Sequence, residues 1–167
     1  MRIVRTITLA ALALMIGSFA AAGAESLAIT RASFVTAKVE KFGQYEPRPN
    51  AVFKFGEDVR LYVEPTGFVA VDQSGASRID TTADIKVTGA DGGVLVERKN
   101  LMSLKHSSPQ TLGQVFVNIS VKVPAAGMYV VTFRLNDNLT GRSLDYSLPF
   151  QVEPPERVAA RQDSPAP

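Results

Sequence analysis

Apolar side chains recur at every second position through most of this chain. Val115, Val117, Ile119, Val121 and Val123 alternate with Phe116, Asn118, Ser120 and Lys122. Leu144, Tyr146, Leu148, Phe150 and Val152 alternate with Asp145, Ser147, Pro149 and Gln151. Val59, Leu61 and Val63 flank Arg60, Tyr62 and Glu64, and Tyr129, Val131, Phe133 and Leu135 flank Val130, Thr132 and Arg134. A period of two is the signature of a strand with one buried face. No comparable window beyond residue 24 carries the i, i+3, i+4, i+7 stripe of an amphipathic helix. The strands predicted are 33–41, 59–64, 83–88, 94–100, 114–123, 128–135 and 143–152.

Turn formers separate these runs. Gly89-Ala90-Asp91-Gly92-Gly93 splits one hairpin, Pro124-Ala125-Ala126-Gly127 precedes the next strand, and Asn136 to Gly141 closes the last pair. Seven strands joined by Gly, Pro, Asn and Asp turns predict an all-β, two-sheet antiparallel sandwich. Pro149 has no N–H to donate, so its strand is expected to be an edge there, or to point that position outward.

Three stretches carry a resemblance. Phe53-Lys54-Phe55-Gly56-Glu57-Asp58-Val59 is similar to the F-x-P-G-E-x-V lead-in of an early strand in bacterial immunoglobulin-like domains, with Phe55 in place of the proline. Val87 to Val94 resembles their V-x-D-x-x-G-x-V hairpin, with changes. Pro124-Ala125-Ala126-Gly127-Met128-Tyr129 resembles the P-x-x-G-x-Y opening of the penultimate strand in immunoglobulin-like, fibronectin-III-like and macroglobulin-type modules. The resemblance implies a seven-stranded immunoglobulin-like β-sandwich and a Tyr129 hydroxyl bonded back to the backbone across the corner. The disulfide and core Trp of antibody domains are missing, because the chain has no Cys and no Trp. This fold hosts many functions and assigns none.

The ends of the chain differ from its middle. Arg2 and Arg5 precede an apolar run from Ile7 to Ala22, and Ala22-Gly23-Ala24 supplies the small residues of a cleavage site. Residues 1–24 are therefore expected to be a secretory signal peptide cut after Ala24. A membrane anchor is the rival reading, but no basic stop-transfer cluster follows. Residues 25–153 form the expected domain. Residues 154–167 hold four prolines and one large apolar residue, Val158, which predicts a disordered tail.

Charge follows from that division. Two of the 18 Lys and Arg residues, Arg2 and Arg5, leave with the signal, which brings the rest level with the 16 acidic residues. A neutral mature chain lacks the basic field that nucleic-acid binding needs. It has no second apolar stretch long enough for a membrane span, so the product is expected in the periplasm or outside the cell.

Chemistry is sparse. His106, the single histidine, sits in Lys105-His106-Ser107-Ser108-Pro109, which reads as a polar loop. No G-x-S-x-G elbow is present, and a zinc site built on several His or Cys is excluded by composition. Glu57, Asp58, Glu64, Asp72, Asp80, Asp84 and Asp91 are scattered and read as solubilising charge; a glycosidase pair or a loop Ca²⁺ site built on them is the alternative. Gly89, Gly92 and Gly93 lie between strands and read as turn residues rather than a phosphate loop. No cofactor is expected.

Two groups of residues are candidates for recognition. Tyr45 and Arg48 lie in an aromatic, Pro-rich loop that also holds Phe42, Phe53 and Phe55. Aromatic anchors beside an Arg suit a binding patch, while the phenylalanines are expected to cap the core. Arg60, Tyr62 and Glu64 project from one side of a strand and predict a polar outer face, with a Glu64–Lys122 cross-strand pair. The sequence thus predicts a non-catalytic exported module binding a protein or cell-envelope component. The alternatives are a carboxylate-pair hydrolase acting on glycans and a purely structural envelope component.

Overall fold

The computed structural model describes residues 26–71, 74–109 and 114–155. The expected signal peptide with its cleavage point, Asp72, and residues 156–167 of the expected tail lie outside the described residues. The described chain is all-β, with strands β1 (Ala28–Phe34), β2 (Val52–Lys54), β3 (Val59–Thr66), β4 (Ala70–Val71), β5 (Ser77–Gly89), β6 (Val94–Ser108), β7 (Val117–Val121), β8 (Gly127–Asp137) and β9 (Arg142–Glu153). The one helical element among them is a 3-10 turn at Pro49–Ala51.

The strands form two sheets. One has the order β1-β3-β7, antiparallel throughout. The other runs β2-β9-β8-β5, with β6 along the far side of β5 and the short β4 beside its first residues. β2 lies parallel to β9; the remaining pairs are antiparallel. The alternating apolar residues of both sheets meet in one core, where Leu61, Val63 and Ile119 join Ile85, Val131, Phe133 and Leu135. Two sheets sharing one interior is an arrangement compatible with a β-sandwich. One end of this core is aromatic: Phe53 lies edge-on to Phe34 at 5.5 Å and to Phe150 at 5.8 Å, and Tyr129 stacks on Phe150 at 5.4 Å.

Turn chemistry closes the hairpins. Gly92, at φ +79°, takes the left-handed position between β5 and β6, while the Gly89 amide bonds the Gly93 carbonyl at 2.9 Å. The Tyr129 hydroxyl donates to the Ala125 carbonyl at 2.7 Å, across the corner that opens β8. Pro149 sits on β9 opposite Val130, outside the stretch that β2 covers, so the ladder to β2 does not need its missing donor.

Several boundaries differ from the periodic reading. The first strand covers Ala28–Phe34 instead of 33–41, because Val35 and Val39 belong to a covering loop. β7 shrinks to Val117–Val121, and β2 and β4 are too short to show a period. The polar stretch Lys105 to Ser108 is strand, not loop: it continues β6, with His106 paired to Ile79. β6 lacks visible alternation because both of its faces are largely open to solvent, so no burial pattern selects its side chains.

Candidate functional site

The outer side of β3 is not the solvated face that the sequence predicts. Tyr62 is fully buried and Glu64 is only 8% exposed. Residues 35–48 fold back over this face, with the Val35 amide bonded to the Arg60 carbonyl and the Arg48 amide to the Phe34 carbonyl. Asn118 on β7 fastens the loop by donating to the Val39 carbonyl at 2.7 Å. Val35, Val39 and Tyr62, flanked by Tyr45 and Phe116, make a second small core.

Inside it the polar atoms form a chain. The Gly43 amide donates to the Tyr62 hydroxyl at 2.8 Å, and that hydroxyl donates to Glu64 Oε1 at 2.7 Å. Glu64 Oε2 lies 3.9 Å from Arg31 Nε, and Arg31 Nη1 donates to the Tyr45 hydroxyl at 2.9 Å. Tyr45 stacks on Tyr62 with ring centroids 4.5 Å apart. Burial pushes the Tyr62 hydroxyl above the usual tyrosine range. The Arg31 guanidinium is held above its ordinary value by the Tyr45 hydroxyl and by Glu64. The expected Glu64–Lys122 pair is absent, because the antiparallel register sets Arg60 against Ser120 and Tyr62 against Asn118. Lys122 falls instead at the Asp58 end of β3, 3.6 Å from that carboxylate.

Arg48 belongs to a different cluster. Its guanidinium lies over the Phe53 ring at 4.5 Å, donates to the Val52 carbonyl at 2.9 Å and pairs with Glu57. Glu57 also accepts the Lys54 amide, so Arg48 clips the Pro47–Glu57 segment to the core. Arg60 bonds Asp58 at 2.9 Å and the Thr36 carbonyl at 3.3 Å. The structure therefore unites Tyr45, Tyr62 and Glu64 through Arg31, and places Arg48 and Arg60 in contacts of their own. Phe53 is core, whereas Phe55 is exposed.

The carboxylates each have local work. Asp80 takes Lys105 at 3.1 Å and Asn138 at 3.0 Å, and these two contacts hold it below the usual carboxylate range. Asp84 accepts the Asn100 amide and Asn136. Asp145 receives both Nε and Nη2 of Arg134, at 2.6 and 2.7 Å. Among the described residues no three His, Asp or Glu side chains are grouped to hold a metal ion. No helix among them is long and apolar enough to cross a membrane. His106 borders an open cavity of about 350 Å³ together with Arg78, Asp80, Lys105, Ser107 and Leu139.

One long surface remains. β6 runs for 15 residues, none of them buried, and pairs on one side with β5. Among the described residues no strand pairs with its other side. Register fixes its two faces. Val96, Arg98, Met102, Leu104 and His106 lie opposite Val87, Ile85, Ala83, Thr81 and Ile79, on the core side. Glu97, Ser103, Lys105 and Ser107 lie opposite Lys86, Thr82, Asp80 and Arg78, on the outer side. Asn100, at φ +54°, forms a bulge whose amide is held by Asp84 at 2.8 Å. Sequence reading predicted this strand only over 94–100; the signal for the rest was the unbroken run from Val94 to Ser108 without Gly or Pro.

No family model matches the chain, and no curated protein matches it.

Proposed function

We propose that the mature chain is a non-catalytic, exported, immunoglobulin-like module that binds a protein or cell-envelope component by adding a strand at β6. The fold assignment draws on strand order. A three-stranded β1-β3-β7 layer opposed to a β2-β9-β8-β5-β6 layer, with a parallel β2–β9 contact at one edge, follows the order of immunoglobulin-like sandwiches. Export draws on the Arg2-Arg5 start, the apolar run and the Ala22-Gly23-Ala24 site.

The observation that carries the binding role is the free edge of β6. Among the described residues no strand pairs with that side, and the stretch 94–107 offers a template of about 45 Å at strand rise. Partially buried Val96, Met102 and Leu104 line the core side of the same strand and supply apolar contacts for every second side chain of an added strand. The test is site-specific photocrosslinking in envelope extract, with the reactive group at Ser103 or Ser107 on β6 and a control at Ser143 on β9. Adducts are expected from β6 and not from the control. No adduct from either β6 position overturns the reading.

A further inference from the structure

We infer that the segment added at β6 is an acid-ended apolar strand, with alternate apolar side chains seated beside Leu104 and Met102 and a following carboxylate paired with Arg98. The inference rests on reading β6 as a pairing edge and names the chemistry of what pairs there. The edge is not uniform. Lys99, Asn100 and Leu101 together oppose the single residue Asp84, since Arg98 pairs with Ile85 and Met102 with Ala83. Leu95 is a second extra residue, between Val94 opposite Thr88 and Val96 opposite Val87. Bulges of this kind interrupt an edge and discourage casual pairing along it. From Met102 to Ser107 the register runs one for one against β5 without interruption. That run spans about 20 Å at strand rise, enough for a short added strand.

The two faces of the run differ. On the outer side Ser103, Lys105 and Ser107 are exposed, and Lys105 already takes Asp80 at 3.1 Å. On the core side Met102 and Leu104 are half-buried and pack against the main core. Every second side chain of an added strand falls beside them, so apolar residues there extend the core by one strand. Beyond the bulge Arg98 lies on the same core side, exposed, opposite buried Ile85 and next along that face to Val96. Its side chain has no hydrogen bond or ion pair among the described residues. Glu97, the one acid of the strand, points outward opposite Lys86. Lys99 differs from Arg98, because it borders a small cavity where Asp84, Glu97 and Asp145 balance Lys86, Lys99 and Arg134. An unpaired guanidinium in an apolar row selects a carboxylate, which it can hold through two parallel N–H donors. The long pairs of this sheet are all antiparallel. A strand added in the same sense meets Ser107 first and Arg98 last. The partner therefore carries its alternate apolar residues first and its acid after them.

The test is fluorescence anisotropy with labelled synthetic peptides on the purified mature chain. The probe alternates valine with serine and ends in glutamate. One control has the same residues with glutamate first, and another ends in lysine. The probe is expected to bind about tenfold more tightly than either control, as one charge-assisted contact supplies. Arg98→Gln is expected to abolish that preference, and Arg98→Glu to reverse it between the glutamate-ended and lysine-ended peptides. Both variants are expected to keep the wild-type thermal midpoint, because the Arg98 side chain has no partner in the fold. A photocrosslinker at Ser103 is expected to label the bound probe, and one at Ser143 is not. No measurable binding, equal affinity for the three peptides, a preference untouched at Arg98, or equal labelling from Ser143 overturns the inference. If it falls while Ser103 or Ser107 still forms adducts in envelope extract, strand addition stands with a partner of other chemistry. If those adducts are missing as well, both readings fall.

Discussion

At the residue scale the informative side chains are Tyr62 and Glu64, because alternation alone puts them in solvent and the fold puts them under a loop. A buried carboxylate is stable only where its lone pairs are satisfied. Here the Tyr62 hydroxyl does this, and in turn it accepts the amide of Gly43, within the covering loop. Tyr62→Phe would keep the ring stack with Tyr45 and remove only the oxygen. It leaves Glu64 Oε1 and the Gly43 amide without that partner, so a loss of about 1–3 kcal/mol is expected in urea unfolding. Tyr45→Ala removes a ring at the rim of the same cluster and is expected to cost less. Equal losses would mean that packing, not the hydrogen-bonded chain, sets the energetics. Arg48→Ala should also destabilise, through its stack on Phe53 and its clip to Glu57. A fall in thermal midpoint for that variant alone therefore says nothing about partner binding.

At the element scale, most of the fold is legible in the sequence where one face of a strand is buried and the other is not. β8 and β9 follow their alternation to within two residues, since each sits with one side on the shared core, and β3 does so although the covering loop also buries its outer face. Legibility fails for three physical reasons. β6 has no fully buried residue and only Val96, Met102, Leu104 and Ser108 partly buried, so burial imposes little period on it. β1 is interrupted by a register irregularity between Ile29 and Arg31, and the apolar Val35 and Val39 beyond it serve the second core. The covering loop buries Tyr62 and Glu64 through contacts between residues distant in sequence, Asn118 to Val39 among them, which no local pattern encodes. The candidate site was accordingly half legible: Tyr45, Tyr62 and Glu64 converge, but Arg31, which links them, carries no motif. Glycines test the same elements. Gly67, at φ +77° after β3, has the Ser26 carbonyl 2.2 Å from where a Cβ would sit, so the chain ahead of β1 crosses directly over it. Gly56, at φ +82°, has open space around the same position. Gly56→Ala is expected to cost about 1–2 kcal/mol from backbone conformation alone. Gly67→Ala adds a backbone clash, and should lose clearly more in chemical denaturation and weaken amide-exchange protection in β1. Similar losses at both sites would mean that the crossing gives way without cost.

At the scale of the whole molecule, acid stability follows from the carboxylates that the fold holds in their charged form. Asp80, Asp137 and Asp145 all lie below the ordinary carboxylate range. A carboxyl whose folded pKa is depressed contributes stability that is fully present above its unfolded value, about 3.9, and is lost as pH falls through the folded one. The three sites differ in weight. Asp80 and Asp145 are held down by exposed partners, Asn138 with Lys105 and Arg134 respectively, and solvent screens such pairs. Asp137 is 2% exposed at the β8–β9 turn. Burial pushes its carboxyl up, yet bonds from Thr140, from Arg142 and from the Leu139 and Thr140 amides overcome this and hold it down. Arg142 also donates to the Gly67 carbonyl at 2.9 Å, so the charge on Asp137 ties the last hairpin to the end of β3. Urea midpoints should accordingly change little across the neutral range and fall below about pH 4. Asp137→Asn should be the least stable of the three amide variants at pH 7 and show the shallowest acid limb, because the group whose protonation drives the limb is gone. Asp80→Asn and Asp145→Asn should track wild type closely on both counts. An acid limb unchanged by Asp137→Asn would place the acid sensitivity elsewhere in the molecule and remove the buried turn from the account of its stability.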